Sequence, residues 1–329
     1  MKIGIQTWGS TGDIRPFTAL AIGLTKKGHE VTLVVASVDG KDHSYLTNPF
    51  GINYIDIVGD SISKDLEVHL EKDIKVFINS KNPLTKFSII LEGCYFPLLE
   101  NIAKSANELA QNNDFLIGSN MSYPLKISAR KNNKKFISVT LCHGIIPSKY
   151  SMPHGFNSLG IFNSLVWRTG SMIMDYSLKK TINKYLDNVN LPPINGLLDN
   201  FLFSDKLNLI AVSKMLAKQH KDWKNKHEVC GCFNIPENSE TWSPPASLQD
   251  FLKQGQKPVY IFFGSLQQLE NDKIVEIAIK AARIAGCKTI IQSLSGTKKE
   301  NYCDGNIYYI GRTPHHHIFP RCVAVVHHG

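Results

Sequence analysis

The sequence is short of the signatures that would classify it quickly. At its first glycine turn only Gly9 and Gly12 are present, so the G-x-G-x-x-G dinucleotide fingerprint is missing. No lysine follows Gly12, which excludes a phosphate-binding P-loop there. A nicotinamide-dependent oxidoreductase is disfavoured further because no acid closes the second strand, and Asp39, just past it, is a poor substitute. Cysteine is sparse and unpatterned. Of seven, only Cys230 and Cys232 lie close, as C-x-C, and no zinc-type C-x-x-C pair occurs. An odd count without framework spacing points to a reducing compartment. No window approaches about 18 uninterrupted apolar residues, so no spanning helix is expected. No long apolar region precedes the first glycine turn, so no signal peptide is expected and a cytoplasmic location is. Arg312-Thr313-Pro314-His315-His316-His317 invites a metal reading. Adjacent histidines on a helix point in different directions, however, so neither a metal nor a cofactor is predicted.

What is present is a chain of alternating strands and helices. Its 329 residues, 43% of them hydrophobic, suit two α/β domains, each large enough for its own core. The formal charge of +9, from 37 basic and 28 acidic residues, suggests acidic or phosphorylated ligands, nucleic acid or an anionic membrane surface. The lysines are spread along the chain without interleaved aromatics, which argues against nucleic acid. The densest cluster, Lys214, Lys218, Lys221, Lys224 and Lys226 around Trp223, reads as a solvated helix face. Such a face would also attract anionic lipid, so peripheral membrane contact is carried as an expectation.

The organising stretch is Gly9-Ser10-Thr11-Gly12-Asp13-Ile14-Arg15-Pro16-Phe17. Lys2 to Thr7 before it reads as a strand. Phe17, Leu20, Ala21 and Leu24 after it fall on one face of a helix. Pro16 suits a first helical turn, Gly28 a helix C-cap with positive φ, and His29 to Ala36 a second, Val-rich strand. This βαβ unit puts the turn at the C-terminal strand edge, where open α/β sheets bind ligands. Ser10 and Asp13 stand there at a helix N-terminus. Asp13 reads either as an N-cap, worth about 1 kcal/mol, or as a carboxylate that takes a proton from a substrate hydroxyl, worth roughly 10²–10⁴ in rate.

Further strands are predicted at Ile52 to Val58, Asp114 to Gly118, Phe136 to Leu141 and Leu207 to Val212, with a weak helix around Leu66 to Ile78 and a helix over Pro97 to Ala110. Cys142 to Gly160, rich in Gly, Pro, Ser and His, reads as a long functional loop. It is followed by an amphipathic helix over Ile161 to Val189. Phe233 to Ser247, polar and with three prolines, is the linker, so the expected domains are 1–232, linker 233–247 and 248–329. After the linker come a strand at Pro258 to Phe263, a turn at Gly264-Ser265, a helix over Asn271 to Ala285, and strands at Lys288 to Gln292, Ile307 to Ile310 and Cys322 to Val326. The pattern then stops at His327-His328-Gly329, where a turn and a helix are expected.

Three stretches, in this order and spacing, resemble the GT-B glycosyltransferases that use nucleotide-diphosphate sugars, particularly the sterol, lipid and macrolide or glycopeptide branch. They are Gly9 to Phe17 with Gly28-His29-Glu30-Val31, then Pro258 to Leu266 after the proline-rich linker, and Ile318 to Gly329. The resemblance covers nearly the whole chain and is least characteristic from Leu46 to Leu116. It implies two Rossmann-like α/β domains facing across a cleft, the first binding the acceptor and the second, incomplete here, binding the donor. It implies that Asp13 is the general base, with Ser10 beside it and Gly12 in the acceptor turn. His143 and His154, in the loop after the fifth strand, would be acceptor contacts. Gly264 and Ser265 would bring backbone N–H groups to phosphate, Arg312 and its neighbours would frame the donor base, and His328 and Gly329 would meet the donor phosphate. Phe263 departs from the glycine usual in the family and narrows that approach. The rest of the donor site, including the acidic and glutamine residues used on the sugar, would lie beyond Gly329, and the open apolar faces this leaves predict poor solubility or partnering. The implied activity is inverting transfer of a hexose, UDP-glucose-like in its donor, to a hydroxyl of a lipid-like, sterol-like or polycyclic acceptor. The alternative is an inactive, truncated remnant that binds acceptor alone.

Overall fold

The computed structural model describes every residue except 39–41, 59–75, 78–79, 81, 154–155, 224, 236–241, 264–270, 293–299, 312 and 328–329. The chain divides into two compact units, Met1–Ile235 and Pro236–Gly329.

The first unit is built on seven parallel strands: β1 (Lys2–Gly9), β2 (Glu30–Ser37), β3 (Asn53–Asp56), β4 (Phe115–Ser119), β5 (Lys135–Thr140), β6 (Asn208–Ile210) and β7 (His227–Val229). Their order is β3-β2-β1-β4-β5-β6-β7. The order reverses beside β1, which pairs with β2 from Lys2↔Glu30 to Gly9↔Ser37 and with β4 from Ile3↔Phe115 to Gln6↔Gly118. That reversal is the switch point at which such sheets bind ligands. Alternation along β1 sends Ile3 and Ile5 to one face, where they pack with Ile14, Phe17, Ala21 and Ile22 of α1 (Thr11–Lys26). Burying a side chain the size of Ile5 or Phe17 is worth about 1.5–3 kcal/mol. From the other face, Gln6 donates its Nε2 to the carbonyl of Ile102 at 3.0 Å and to Ser105 Oγ at 2.9 Å, on the helix Leu99–Asn112. Both helices are thus fixed against the strand that carries the first glycine turn. The helix ends as expected, with Gly28 at φ +82° after Lys27.

The second unit holds β8 (Val259–Ile261), β9 (Thr289–Gln292), β10 (Tyr302–Asp304), β11 (Ile307–Ile310) and β12 (Ala324–Val326), in the order β10-β11-β9-β8-β12. All pairs are parallel except the β10–β11 hairpin, which is additional to the strands expected from sequence. One face is covered by the helix Ala246–Lys253 through Leu248 and Phe251, the latter 5.3 Å from the Tyr308 ring. The other is covered by the helix Asn271–Ala285 through Val275, Ala278 and Ala282. Here the order reverses beside β8, between β9 and β12.

The structure corrects several local expectations. Pro16 is the sixth residue of α1, in the second turn, not the first. Its missing N–H leaves the Gly12 carbonyl without the usual i+4 donor, at a cost limited by nearness to the helix end. The lysine cluster is not a helix: the described residues of 213–226 form turns and irregular chain, although Lys214, Lys218, Lys221 and Lys226 are indeed exposed. The helix is lost because side chains of this segment are spent on tertiary bonds. Gln219 brackets β7, donating to the His227 carbonyl and accepting from the Val229 N–H, each at 2.8 Å. Trp223 is buried and donates its indole N–H to the Pro147 carbonyl at 3.0 Å. The weak helix expected around Leu66 to Ile78 lies mostly outside the described residues.

Candidate functional site

The first glycine turn sits at the C-terminal end of β1. Gly9 has φ +125°, a region open to glycine, and a Cβ there would stand 2.7 Å from the Cβ of Asp13. The carboxylate folds back over the strand end. Its Oδ2 accepts the Ser10 backbone N–H at 2.9 Å and the Ser10 hydroxyl at 3.1 Å. The helix cap is therefore Ser10, not Asp13; Asp13 is the third helical residue and closes the reciprocal capping box. This corrects the N-cap reading without removing Asp13 from the sheet edge, where it is solvent-exposed beside exposed Gly12. A carboxylate so placed can accept a proton from a hydroxyl arriving at the strand ends.

Ser10, Gly12 and Asp13 are thus brought into one turn. His143 opens a single turn, His143–Ile145, just after β5, on the same sheet edge but two strands over from β1. It is half-buried and belongs to a different cluster. Burial holds the His220 imidazole below the usual histidine range; Asp222 opposes this and His143 adds to it. The His220 ring lies 4.5 Å from Trp223, edge-on, and 5.9 Å from Tyr150, stacked. Asp222 ties the cluster to the loop after β5, accepting from Ser148 Oγ at 3.0 Å and the Lys149 N–H at 2.7 Å. Behind it a cavity of about 300 Å³ is lined by Pro147, Leu198, Phe203, Trp223 and His227. Sequence reasoning missed this cluster. The available signal was Trp223, a large aromatic in a run of lysines, which is better explained by burial than by a solvated face.

In the second unit Gly264, Ser265, Arg312, His328 and Gly329 lie outside the described residues, as does His154 in the first. The neighbours of these positions are described. Phe262 follows β8 and His327 follows β12, the two strands that flank the reversal, and their rings stack 5.8 Å apart. His315 lies 4.4 Å from the Phe262 ring and stacks on Phe319 at 4.6 Å. Gln292, at the end of β9, accepts the Tyr260 hydroxyl at 3.0 Å and stands 3.4 Å from His315 Nε2. This aromatic and amide edge was not singled out from the sequence, because its members come from four separate segments. Among the described residues no group of His, Cys, Asp or Glu is arranged to hold a metal ion.

Comparison with known proteins agrees with this architecture. No protein-family profile matches the chain. Among curated proteins, a sterol 3-beta-glucosyltransferase of Arabidopsis thaliana is 27% identical over the whole chain, which spans 51% of that protein. The sterol 3-beta-glucosyltransferases of Candida albicans and Saccharomyces cerevisiae are each 25% identical over the whole chain, which spans 22% and 28% of their lengths. Among solved structures, the kitacinnamycin glycotransferase superposes with a TM-score of 0.62 at 14% identity, over the whole chain and 75% of its own. The calicheamicin glycosyltransferase CalG4 gives 0.60 at 13%, again over the whole chain and 75% of its own. The chain is accordingly a relative, along its entire length, of the sterol 3-beta-glucosyltransferases, and it has the α/β fold of the GT-B glycosyltransferases.

Proposed function

We propose that the protein takes part in inverting transfer of a hexose from a nucleotide-diphosphate sugar to a hydroxyl of a sterol-like or polycyclic acceptor. The observation that carries this reading is the seating of Asp13 at the C-terminal end of the central strand, fixed by Gly9 and Ser10. The sterol 3-beta-glucosyltransferases to which the whole chain aligns support the acceptor class. In this mechanism the acceptor oxygen attacks the anomeric carbon from the face opposite the leaving group. The C–O bond to the nucleoside diphosphate breaks as the new glycosidic bond forms, so a single displacement inverts the centre. Asp13 receives the hydroxyl proton, and Ser10 holds the carboxylate in place. Gly12 leaves the turn open for the acceptor, with His143 and His154 as further contacts. Gly264, Ser265, Arg312, His328 and Gly329 are assigned to the donor. There, positive charge and backbone N–H groups would stabilise the departing diphosphate.

The test is transfer of radiolabelled glucose from UDP-glucose to a detergent-dispersed sterol, with Asp13→Asn as the variant. The expected result is a fall in kcat of roughly 10²–10⁴ with nucleotide affinity unchanged. Retained full turnover sinks the assignment of Asp13. Sterol binding without any transfer by the native chain would favour a purely acceptor-binding role.

A further inference from the structure

The first unit holds a second oriented polar group besides Asp13, the His227 imidazole. It is 9% exposed and opens β7, four strands from β1 and at the strand end opposite the edge that carries Asp13. At about 4.8 Å per strand, the lateral separation alone is roughly 19 Å. A buried chain of hydrogen bonds orients the ring. The Ser204 N–H donates to Ser138 Oγ at 2.8 Å, and the Ser138 hydroxyl donates onward to Asn208 Oδ1 at 2.9 Å. That turns the Asn208 amide nitrogen towards His227 Nδ1, at 3.4 Å. An amide nitrogen only donates, so Nδ1 accepts, and the one proton of the neutral ring sits on Nε2. Burial keeps the ring neutral. His227 Nε2 has no acceptor among the described residues, yet the atom is not sealed in the interior. It opens on the cavity of about 300 Å³ that His227 lines.

The other walls indicate the occupant. Pro147, Leu198, Phe203 and Trp223 are apolar, and Phe203 stands edge-on to the imidazole at 5.6 Å. The Trp223 N–H is spent on the Pro147 carbonyl, so its ring offers a flat apolar surface. Asp222 and Lys226 complete the lining. Both Asp222 oxygens are taken, one by Ser148 Oγ and one by the Lys149 N–H. Asp205 is paired with Lys126 and Arg130. Among the described residues no acid stands within ion-pair distance of Lys226. An oriented N–H donor and an unneutralised ammonium beside flat apolar walls suit a small anion with a flat apolar body. We propose that this cavity binds a small aromatic carboxylate, its ring against Trp223 and Phe203 and its acid group between His227 Nε2 and the Lys226 ammonium. The occupant bears on the loop after β5, because Trp223 and Asp222 hold that loop at Pro147, Ser148 and Lys149. The proposal does not rest on the transferase reading, since it concerns a site separate from Asp13 and is read by binding.

The test is calorimetric titration of the full chain with benzoate and with benzamide, which keeps the ring and a carbonyl oxygen but not the charge. Benzoate should bind roughly tenfold more tightly than benzamide or better. Lys226→Gln should remove that preference, and His227→Phe should weaken both ligands by about tenfold. Lys226 is exposed, so its variant keeps the proposal testable if His227→Phe does not fold. Benzoate should also slow tryptic cleavage after Lys149 in the native chain, and cleavage that is unchanged overturns the link to the loop. A native chain that fails to bind benzoate, or binds it no better than benzamide, overturns the site. So does a preference for benzoate that survives Lys226→Gln.

Discussion

Gly9 and Asp13 fix each other's positions: a Cβ on the glycine would stand 2.7 Å from the Cβ of the aspartate, at a φ of +125°. Gly9→Ala therefore strains the backbone and displaces the carboxylate together. The expected cost is about 1–3 kcal/mol in urea unfolding, with a loss of sugar transfer comparable to that of Asp13→Asn. Native activity in Gly9→Ala would show that the position of Asp13 does not matter.

The capping box makes a separable prediction. Ser10→Ala removes a hydroxyl that meets Asp13 Oδ2 at 3.1 Å but leaves the Ser10 N–H bond at 2.9 Å. Stability should fall by about 0.5–2 kcal/mol, read as a lower urea midpoint, while transfer falls less than in Asp13→Asn. An equal loss of transfer would promote Ser10 from a support to a participant.

His227 should make the fold acid-sensitive. Burial, with Lys226 adding and Asp222 opposing, lowers its pKa from 6.5 to about 4. Between those values the unfolded chain binds the proton and the folded chain does not. Stability from this group is therefore full above about pH 6.5 and is lost as the pH falls toward about 4, by at most about 3 kcal/mol. Comparing urea midpoints at pH 7 and pH 4.5, His227→Gln should lose less stability on acidification than the native protein. An identical loss in both would place the acid sensitivity elsewhere.

Lys126 is buried, 3% exposed, and its ammonium donates to the carbonyls of Asn200 and Phe203 at 2.9 and 3.1 Å while pairing with Asp205 at 2.7 Å. Burial lowers its pKa in spite of Asp205, whereas Asp205 is lowered because Lys126 and Arg130 outweigh its own burial. Lys126→Met keeps most of the volume but strands both carbonyls. A destabilisation of about 2–4 kcal/mol is expected by thermal unfolding. A neutral result would mean that water replaces the ammonium.

Most strands of the first sheet could be read from the sequence because their apolar runs are bounded by turn residues, as at Ile3, Ile5 and the Val-rich β2, whereas β7, three residues long with Glu228 exposed, was not expected. The turn at Gly9 was legible for the same local reason. Its hydrogen bonding was not, since whether Ser10 or Asp13 caps α1 depends on where the backbone turns helical, here at Thr11 after an extended Ser10, which composition does not report. The segment 213–226 misled because lysine spacing resembles a helix face, while the deciding contacts, Gln219 with β7 and Trp223 with Pro147, are tertiary. The Phe262, Gln292, His315 and His327 edge was invisible for a similar reason: no local pattern links residues that meet only through sheet order.

The placement of β1 also has a kinetic meaning. Its partner β2 follows after 28 residues, as in Lys2↔Glu30, but its other partner β4 lies 112 residues away, as in Ile3↔Phe115. The second closure is four times longer, a penalty larger by roughly 1.2 kcal/mol in chain entropy. The Gly9 turn can thus form early with α1, whereas the crevice beside it exists only once the two halves of the sheet have met. Refolding followed at β1–β2 should run ahead of refolding followed at β1–β4.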